Sequence, residues 1–257
     1  MIHAQSKKNI FIRFYEELND FLPESKRKKT YSIDFFAHPT VKTIIETEGI
    51  PHTEVDMILI NGKPVGFNEK VENSDHISVY PVFESFDISH VSKVRNKPLR
   101  SSKFISDIHL GKLARLLRLA GFDVLYKNNW THKEMISISN QEKRALLTRN
   151  IKLLMNKDMA RGYFVRSEVP YQQLLEIMIR FDLLSSMEPF SRCMLCNAPM
   201  IFVHREEIKN LLPEKVKHKY HQFYQCSSCR HLYWQGYHYP NMIKMFNQLR
   251  LDIQIKG

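Results

Sequence analysis

Apolar and polar positions alternate over residues 10–15 (IFIRFY), the period of a half-buried strand. A second apolar run, residues 57–60 (MILI), is followed at once by Asn61-Gly62, a dipeptide that tolerates positive φ and suits a tight hairpin turn. Residues 76–82 (HISVYPV) read as a further strand. Between these, residues 40–47 (TVKTIIET) carry the spacing of a short helix that stops at Gly49, with Pro51 beyond the stop. Two strands, a helix and two more strands make a β-grasp order over residues 1–85. The pattern then lapses: residues 86–102 (FDISHVSKVRNKPLRSS) are polar, basic and broken by Pro98, which predicts a linker and a domain boundary. From 103 to 187 strand and helix signals alternate, which predicts a parallel α/β sheet. Strands are expected at 103–106, 122–126, 145–148 and 163–165. Helices are expected at 110–120, 131–142, from Asn150, and from Pro170 to about 184. Sites in such sheets form where the carboxyl ends of strands meet helix starts, and Asp107, Glu134, Asn150 and Glu168 occupy those places.

The chain has 257 residues, 43% hydrophobic and 25% charged, enough for one large domain or two to three small ones, each with a real core. Collagen-like, low-complexity and wholly disordered readings are excluded. No stretch approaches the ~18 uninterrupted apolar residues of a membrane span. The most apolar helical run, residues 110–120, is broken by Lys112, Arg115 and Arg118, and residues 1–9 lack the apolar core of a signal peptide. A cytoplasmic protein with no membrane partner is therefore expected. The net charge of +11 is unevenly spread: residues 1–85 hold 10 basic and 13 acidic side chains, residues 86–186 hold 18 and 9, and residues 187–257 hold 10 and 5. A solvated surface can be basic without a partner, but this segregation points to an anionic one such as nucleic acid. Lys112, Arg115 and Arg118 are three apart on one predicted helix and form a slowly drifting positive stripe that starts beside Asp107. Arg149 and Arg166, at the next strand ends, extend that surface for RNA phosphates; an ordinary solvated helix face is the alternative.

Every cysteine falls in one of two CxxC pairs, Cys193-Met-Leu-Cys196 and Cys226-Ser-Ser-Cys229, with 29 residues between them. Two residues between thiolates let a tight turn aim both sulfurs at one ion. The paired motif thus predicts a closed tetrahedral site in which Cys193, Cys196, Cys226 and Cys229 hold one structural zinc. Redox or free cysteines are the competing reading. His218, His221, His231 and His238 lie nearby, but four Cys already complete the shell. With the dense aromatics Tyr220, Phe223, Tyr224, Tyr233, Trp234, Tyr237 and Tyr239, they supply the core of a small ribbon over residues 188–240 or an RNA-stacking surface, with core packing accounting for most. Residues 241–257 form a basic tail with a last helix.

Residues 58–83, with INGKPVGF and ENSDHISVYPVF, resemble ubiquitin-like sulfur carriers. A working carrier ends in a free Gly-Gly, whereas this chain continues through Glu84, Ser85 and Phe86, so a docking or packing module is expected instead of sulfur transfer. FISDIHLGKLARLLRLAGF (104–122), ALLTRNIKLL (145–154), YFVRS (163–167) and the paired CxxC motifs resemble the Mut-seven C-terminal RNase family over roughly residues 10–239. The resemblance implies a PIN-like nuclease fold over residues 103–187 with a zinc ribbon behind it. It also implies, in front, the ubiquitin-like domain that bacterial members often carry, with a protein partner for that domain. It further implies metal-dependent hydrolysis of RNA, in which clustered carboxylates hold Mg²⁺ or Mn²⁺ that activates water. Asp107 matches the first-strand acid and Glu134 an acid at the start of a following helix, with Glu168 a further candidate ligand. Two positions depart from the family pattern: Asn150 follows Thr148-Arg149 where the family usually has Asp, and His132 stands where a second acid often precedes the one at Glu134. An amide oxygen coordinates without charge, so Asn150 lowers the expected metal affinity. That opens a second expectation, a non-catalytic RNA-binding or ribosome-associated adaptor. Helix capping competes at every one of these positions, by Asp107, by Asn150, and by Thr131 with Glu134 as a capping box.

Overall fold

The computed structural model describes residues 7–81, 92–94 and 102–256. The predicted linker, residues 86–102, lies outside the described residues except at 92–94 and 102, as does Val82 at the end of the last strand expected in the first segment. β1 (Lys8–Phe14) and β2 (Tyr31–Phe35) precede α1 (Val41–Thr47), followed by β3 (Val55–Ile60), β4 (Lys63–Val65) and β5 (His76–Pro81). Next come β6 (Lys103–Ser106), α2 (Gly111–Leu119), β7 (Asp123–Leu125), α3 (His132–Gln141), β8 (Ala145–Thr148), α4 (Ile151–Leu154), β9 (Gly162–Phe164) and α5 (Pro170–Arg180). The chain closes with β10 (Met200–Val203), α6 (Arg205–Ile208), α7 (Glu214–Lys217), β11 (Phe223–Cys226), β12 (Leu232–Trp234) and α8 (Tyr239–Lys256). Among the described residues no helix is long and apolar enough to cross a membrane. The chain folds into two compact units, one from residues up to 94 with 132–164, the other from residues 102–131 with 165–256.

In the first unit a five-stranded sheet runs β2-β1-β5-β3-β4, with β1 and β5 parallel and the other neighbours antiparallel. Alternation along β1 turns Ile10, Ile12 and Phe14 inward, where they meet Ile77 and Val79 of β5 and Val41, Ile44 and Ile45 of α1. Burying each such side chain contributes about 1.5–3 kcal/mol, so this β-grasp core holds its own segment together. Thr40 caps α1 by accepting the Thr43 N–H at 3.3 Å. Asn61 (φ 50°) and Gly62 (φ 78°) form the two-residue turn expected between β3 and β4. The same unit contains α3, β8, α4 and β9, with β8 and β9 paired in parallel. Buried polar bonds join the two stretches. The Glu54 carboxylate accepts the Phe164 N–H at 2.6 Å, and His52 bridges the Glu46 carboxylate (2.7 Å) and the Met159 carbonyl (2.9 Å).

In the second unit β6 and β7 pair in parallel, and Phe104 of β6 meets Phe181 edge-on at 5.1 Å, beneath the packing of α2 on α5. Gly121 ends the α2 segment at φ 100°, and a Cβ there would lie 2.3 Å from the Glu188 carbonyl oxygen, so glycine alone fits. The antiparallel ribbon sheet runs β10-β11-β12, with Val203, Ile208, Leu212 and Phe223 as its core. The last helix packs back on α5, where the Tyr171 hydroxyl donates to Asp252 at 2.7 Å.

Candidate functional site

The chain leaves β6 at Asp107, which is buried at 4% exposure. Asp107 stands at the N-cap position of a short 3-10 turn, Ile108–Leu110, yet its side chain makes no capping hydrogen bond to that turn. The turn is fixed from two sides. Leu110 N–H donates to the Asp107 carbonyl at 2.9 Å, and the Tyr126 hydroxyl donates to the Ile108 carbonyl at 3.1 Å. Gly111 lies against the Tyr126 ring, where a Cβ would come within 2.6 Å of the phenol oxygen, so the glycine of the LGKLAR motif lets α2 start beside that ring. From this start α2 exposes Lys112 and Arg115. Together with His109, Glu168, Gln173 and Tyr126 they line an open polar cleft of about 480 Å³. Two cations, an imidazole and one carboxylate make it a place where a phosphate can be held and a proton or metal ion managed.

Glu168 reaches the cleft from the loop after β9, and two residues absent from the sequence expectations position that loop. The Glu176 carboxylate accepts the N–H groups of Arg166 (2.8 Å) and Ser167 (3.0 Å), while the Gln173 amide donates to the Ser167 carbonyl at 2.9 Å. The visible signal is Glu176 itself, the one acid in the helix PYQQLLEIMIR. Arg166 is half-buried on this loop, and Arg149 is half-buried at the end of β8. Glu134, exposed in the first turn of α3, and Asn150 belong to the first unit; Asp107 and Glu168 belong to the second. Asn150 caps α4, its side-chain oxygen accepting the Leu153 N–H at 3.3 Å while its own N–H donates to Thr148 Oγ1 at 3.0 Å.

Arg118 departs from the exposed stripe expected for Lys112, Arg115 and Arg118. It is 4% exposed, and its guanidinium donates to the carbonyls of Val124 (2.8 Å), Leu195 (2.8 Å) and Met194 (3.1 Å). Burial lowers its pKa, opposed by the nearby Cys193, Cys196 and Asp123, and an arginine remains charged under such a shift. Its place is therefore structural. It ties α2 and β7 to the first cysteine knuckle, with its guanidinium turned to backbone carbonyls instead of to solvent. Asn197, just after that knuckle at φ 75°, adds to the tie by accepting the Val124 N–H (2.9 Å) and donating to Asp123 (2.7 Å).

The four Sγ atoms of Cys193, Cys196, Cys226 and Cys229 lie within 4.8 Å of one another. A tetrahedral ion at the usual Zn–S length of about 2.3 Å needs sulfurs about 3.8 Å apart, which this cluster meets with small adjustments. The N–H groups of Ser228 and Cys229 point at Cys226 Sγ, each at 3.4 Å, as thiolate-bearing knuckles require. Burial opposes ionisation of Cys196, but the Ala198 N–H and the neighbouring thiols bring its pKa down to about 6. At Cys229 the His231 N–H works the other way from burial and the other thiols, which push it up to about 12. Four thiols this close ionise together only around a cation.

A β-grasp sheet, parallel α/β pairs with an acid at the first strand end, and a four-cysteine ribbon define a ubiquitin-like module joined to a nuclease-type α/β domain. Residues 102–246 match the Mut7-C RNAse domain and residues 7–87 match the Mut7-C ubiquitin domain, so the chain belongs to the Mut7-C RNAse family. No curated protein and no solved structure matches it.

Proposed function

We propose that the protein is a metal-dependent ribonuclease that hydrolyses RNA phosphodiester bonds, with the cleft beside α2 as the place where the strand enters. The observation that carries this reading is that cleft: Lys112, Arg115 and Glu168 gathered at the helix that follows Asp107, inside the segment matching the RNAse domain. Lys112 and Arg115 neutralise and position phosphates, and Arg149 and Arg166 are further phosphate contacts. Asp107 is the principal carboxylate for Mg²⁺ or Mn²⁺, Glu134 and Glu168 are the further acids, and Asn150 offers an amide oxygen. When bound, the divalent ion supplies an activated water and charge stabilisation at phosphorus. Carboxylate and amide oxygens are the donor types that a hard divalent cation takes. The ribbon holds one structural zinc through Cys193, Cys196, Cys226 and Cys229. The ubiquitin-like module docks a protein partner, and the setting is the reducing cytoplasm.

A specific observation favours the second reading, a non-catalytic RNA-binding or ribosome-associated adaptor. Asn150 both lacks charge and already serves as the α4 cap. One experiment separates the two. End-labelled structured and single-stranded RNA are incubated with Mn²⁺, Mg²⁺ or EDTA and with wild type, Asp107→Ala or Asn150→Asp, each checked for zinc content. Metal-dependent cutting that Asp107→Ala loses is the expected result. An inert, zinc-loaded wild type that still binds RNA turns the reading to the adaptor, and cutting gained only by Asn150→Asp marks a lapsed nuclease.

A further inference from the structure

The ribbon sheet has two faces with different fates. One carries Val203, Phe223 and Trp234 into the ribbon core. On the other, Phe202 of β10, Tyr224 of β11 and Tyr233 of β12 stand in direct register, forming an aromatic row across all three strands. Among the described residues no core cluster covers the outer end of this row. Phe202 is 52% exposed, and it meets Tyr224 edge-on at 5.9 Å. At its inner end Tyr224 and Tyr233 line a cleft of about 400 Å³ together with Trp234, Phe190 and, from α8, Tyr239 and Met242. That volume lies within the range of clefts that take small ligands, about 300–1,000 Å³. The walls are aromatic and thioether groups, and the few polar ones, Arg192, Ser191 and Gln235, suit hydrogen bonding to the edge of a flat heterocycle. Arg192 is fixed at the wall by donating to the Gly121 (3.2 Å) and Asn197 (2.9 Å) carbonyls. The Tyr233 hydroxyl lies 3.1 Å from Cys193 Sγ, so the cysteine cluster fixes this ring of the lining. The surrounding segment, residues 187–257, holds 10 basic against 5 acidic side chains, a surplus that draws a polyanion.

We propose that this ribbon face is a second RNA contact, in which an unpaired base stacks on Tyr224 and Phe202 and enters the cleft. Aromatic rings in a row on a sheet, within a basic segment and without an opposing core, are the arrangement by which single strands are gripped through their bases while cations follow the phosphates. The proposal rests on the RNA-binding reading above and goes beyond it by assigning base contacts away from the α2 cleft. A protein segment seated on the same aromatics is the competing occupant, and the basic surroundings favour the nucleic acid.

The test is fluorescence anisotropy of a labelled single-stranded RNA and of an abasic strand of equal length and charge, in EDTA to prevent cutting. The full-length, zinc-loaded protein is used as wild type, Tyr224→Leu, Tyr224→Phe and Phe202→Ala. Wild type should bind the base-containing strand about tenfold more tightly than the abasic one. Tyr224→Leu, which keeps the apolar bulk, and Phe202→Ala should lose most of that preference, and Tyr224→Phe should keep it. Equal affinity for the two strands in wild type, or an unchanged preference in Tyr224→Leu, overturns the proposal while leaving RNA binding at the α2 cleft intact. Absence of binding to either strand overturns both readings. Saturation by a free nucleoside monophosphate at the affinity of the strand assigns the cleft to a small molecule and overturns the proposal as well.

Discussion

Arg115 and Arg118 sit three residues apart on α2 and end in opposite environments, one exposed beside the cleft and the other buried against three carbonyls. At 3.6 residues per turn, each step of three turns a side chain back by about 60°, so a third cation at this spacing lies about 120° from the first. That drift carries Arg118 from the solvent side of Lys112 into the Leu113–Leu117 side that packs inward. The consequence is a clean separation of effects. Arg115→Ala or Lys112→Ala should leave thermal stability unchanged, weaken RNA binding uniformly across sequences and reduce the salt slope of log K by about one each. Arg118→Ala should remove the hydrogen bonds that Arg118 donates to the Met194 and Leu195 carbonyls and cost about 2–4 kcal/mol in urea unfolding. It should also make zinc easier to chelate, because those carbonyls lie between Cys193 and Cys196. Equal stability of the two arginine variants would remove the structural role assigned to Arg118.

At the level of elements the sequence patterns were legible wherever a local rule dominated. The 145–148 strand, the Thr40 cap, the Asn61-Gly62 turn and the Pro170 helix start all stand where propensity and turn chemistry place them. The pairing of the cysteine knuckles was equally plain, since two CxxC pairs leave little freedom. What stayed hidden depends on contacts. The 3-10 turn before α2 exists because Tyr126 holds Ile108 and crowds Gly111, and nothing in residues 108–111 announces that ring. Asn150 was legible both as a cap and as a ligand position, and its hydrogen bond to Leu153 shows the first without deciding the second. The knuckle's attachment to β7 through Asn197 gives an element-level prediction. Removing zinc with a chelator should raise hydrogen exchange in residues 122–126 as well as in the ribbon, because Val124 N–H then loses a fixed acceptor. Unchanged protection at 122–126 in the zinc-free protein would show that the knuckle keeps its shape through Arg118 and Asn197 alone.

At the scale of the whole molecule, the ubiquitin-like segment shares a compact unit with residues 132–164, and the bonds that join them span more than a hundred positions of sequence. No local pattern can reveal such pairs, which is why reading along the chain gives a β-grasp module as a separate bead. The Glu54 carboxylate is 1% exposed and accepts the backbone N–H of Phe164 in β9, the strand that leads into the Arg166–Glu168 loop. Leaving that N–H buried without an acceptor costs about 1–3 kcal/mol. Glu54→Ala should therefore destabilise the protein by about 2 kcal/mol in chemical denaturation, whereas Glu54→Gln, which keeps an acceptor oxygen, should cost less than half of that. Phe21 adds a ring contact to Phe164 at 5.4 Å, so Phe21→Ala should act in the same direction, and its combination with Glu54→Ala should fall short of the sum because both substitutions free the same strand. Deleting residues 1–85 removes both contacts at once, and the shortened protein should show faster hydrogen exchange in residues 159–164 and a lower melting temperature. If the deletion leaves exchange there unchanged, the ubiquitin-like segment is a detachable partner-binding module. If exchange rises as expected, loss of a partner on deletion cannot be read as loss of a docking surface without the Glu54→Gln and Phe21→Ala proteins, which keep the module in place, as controls.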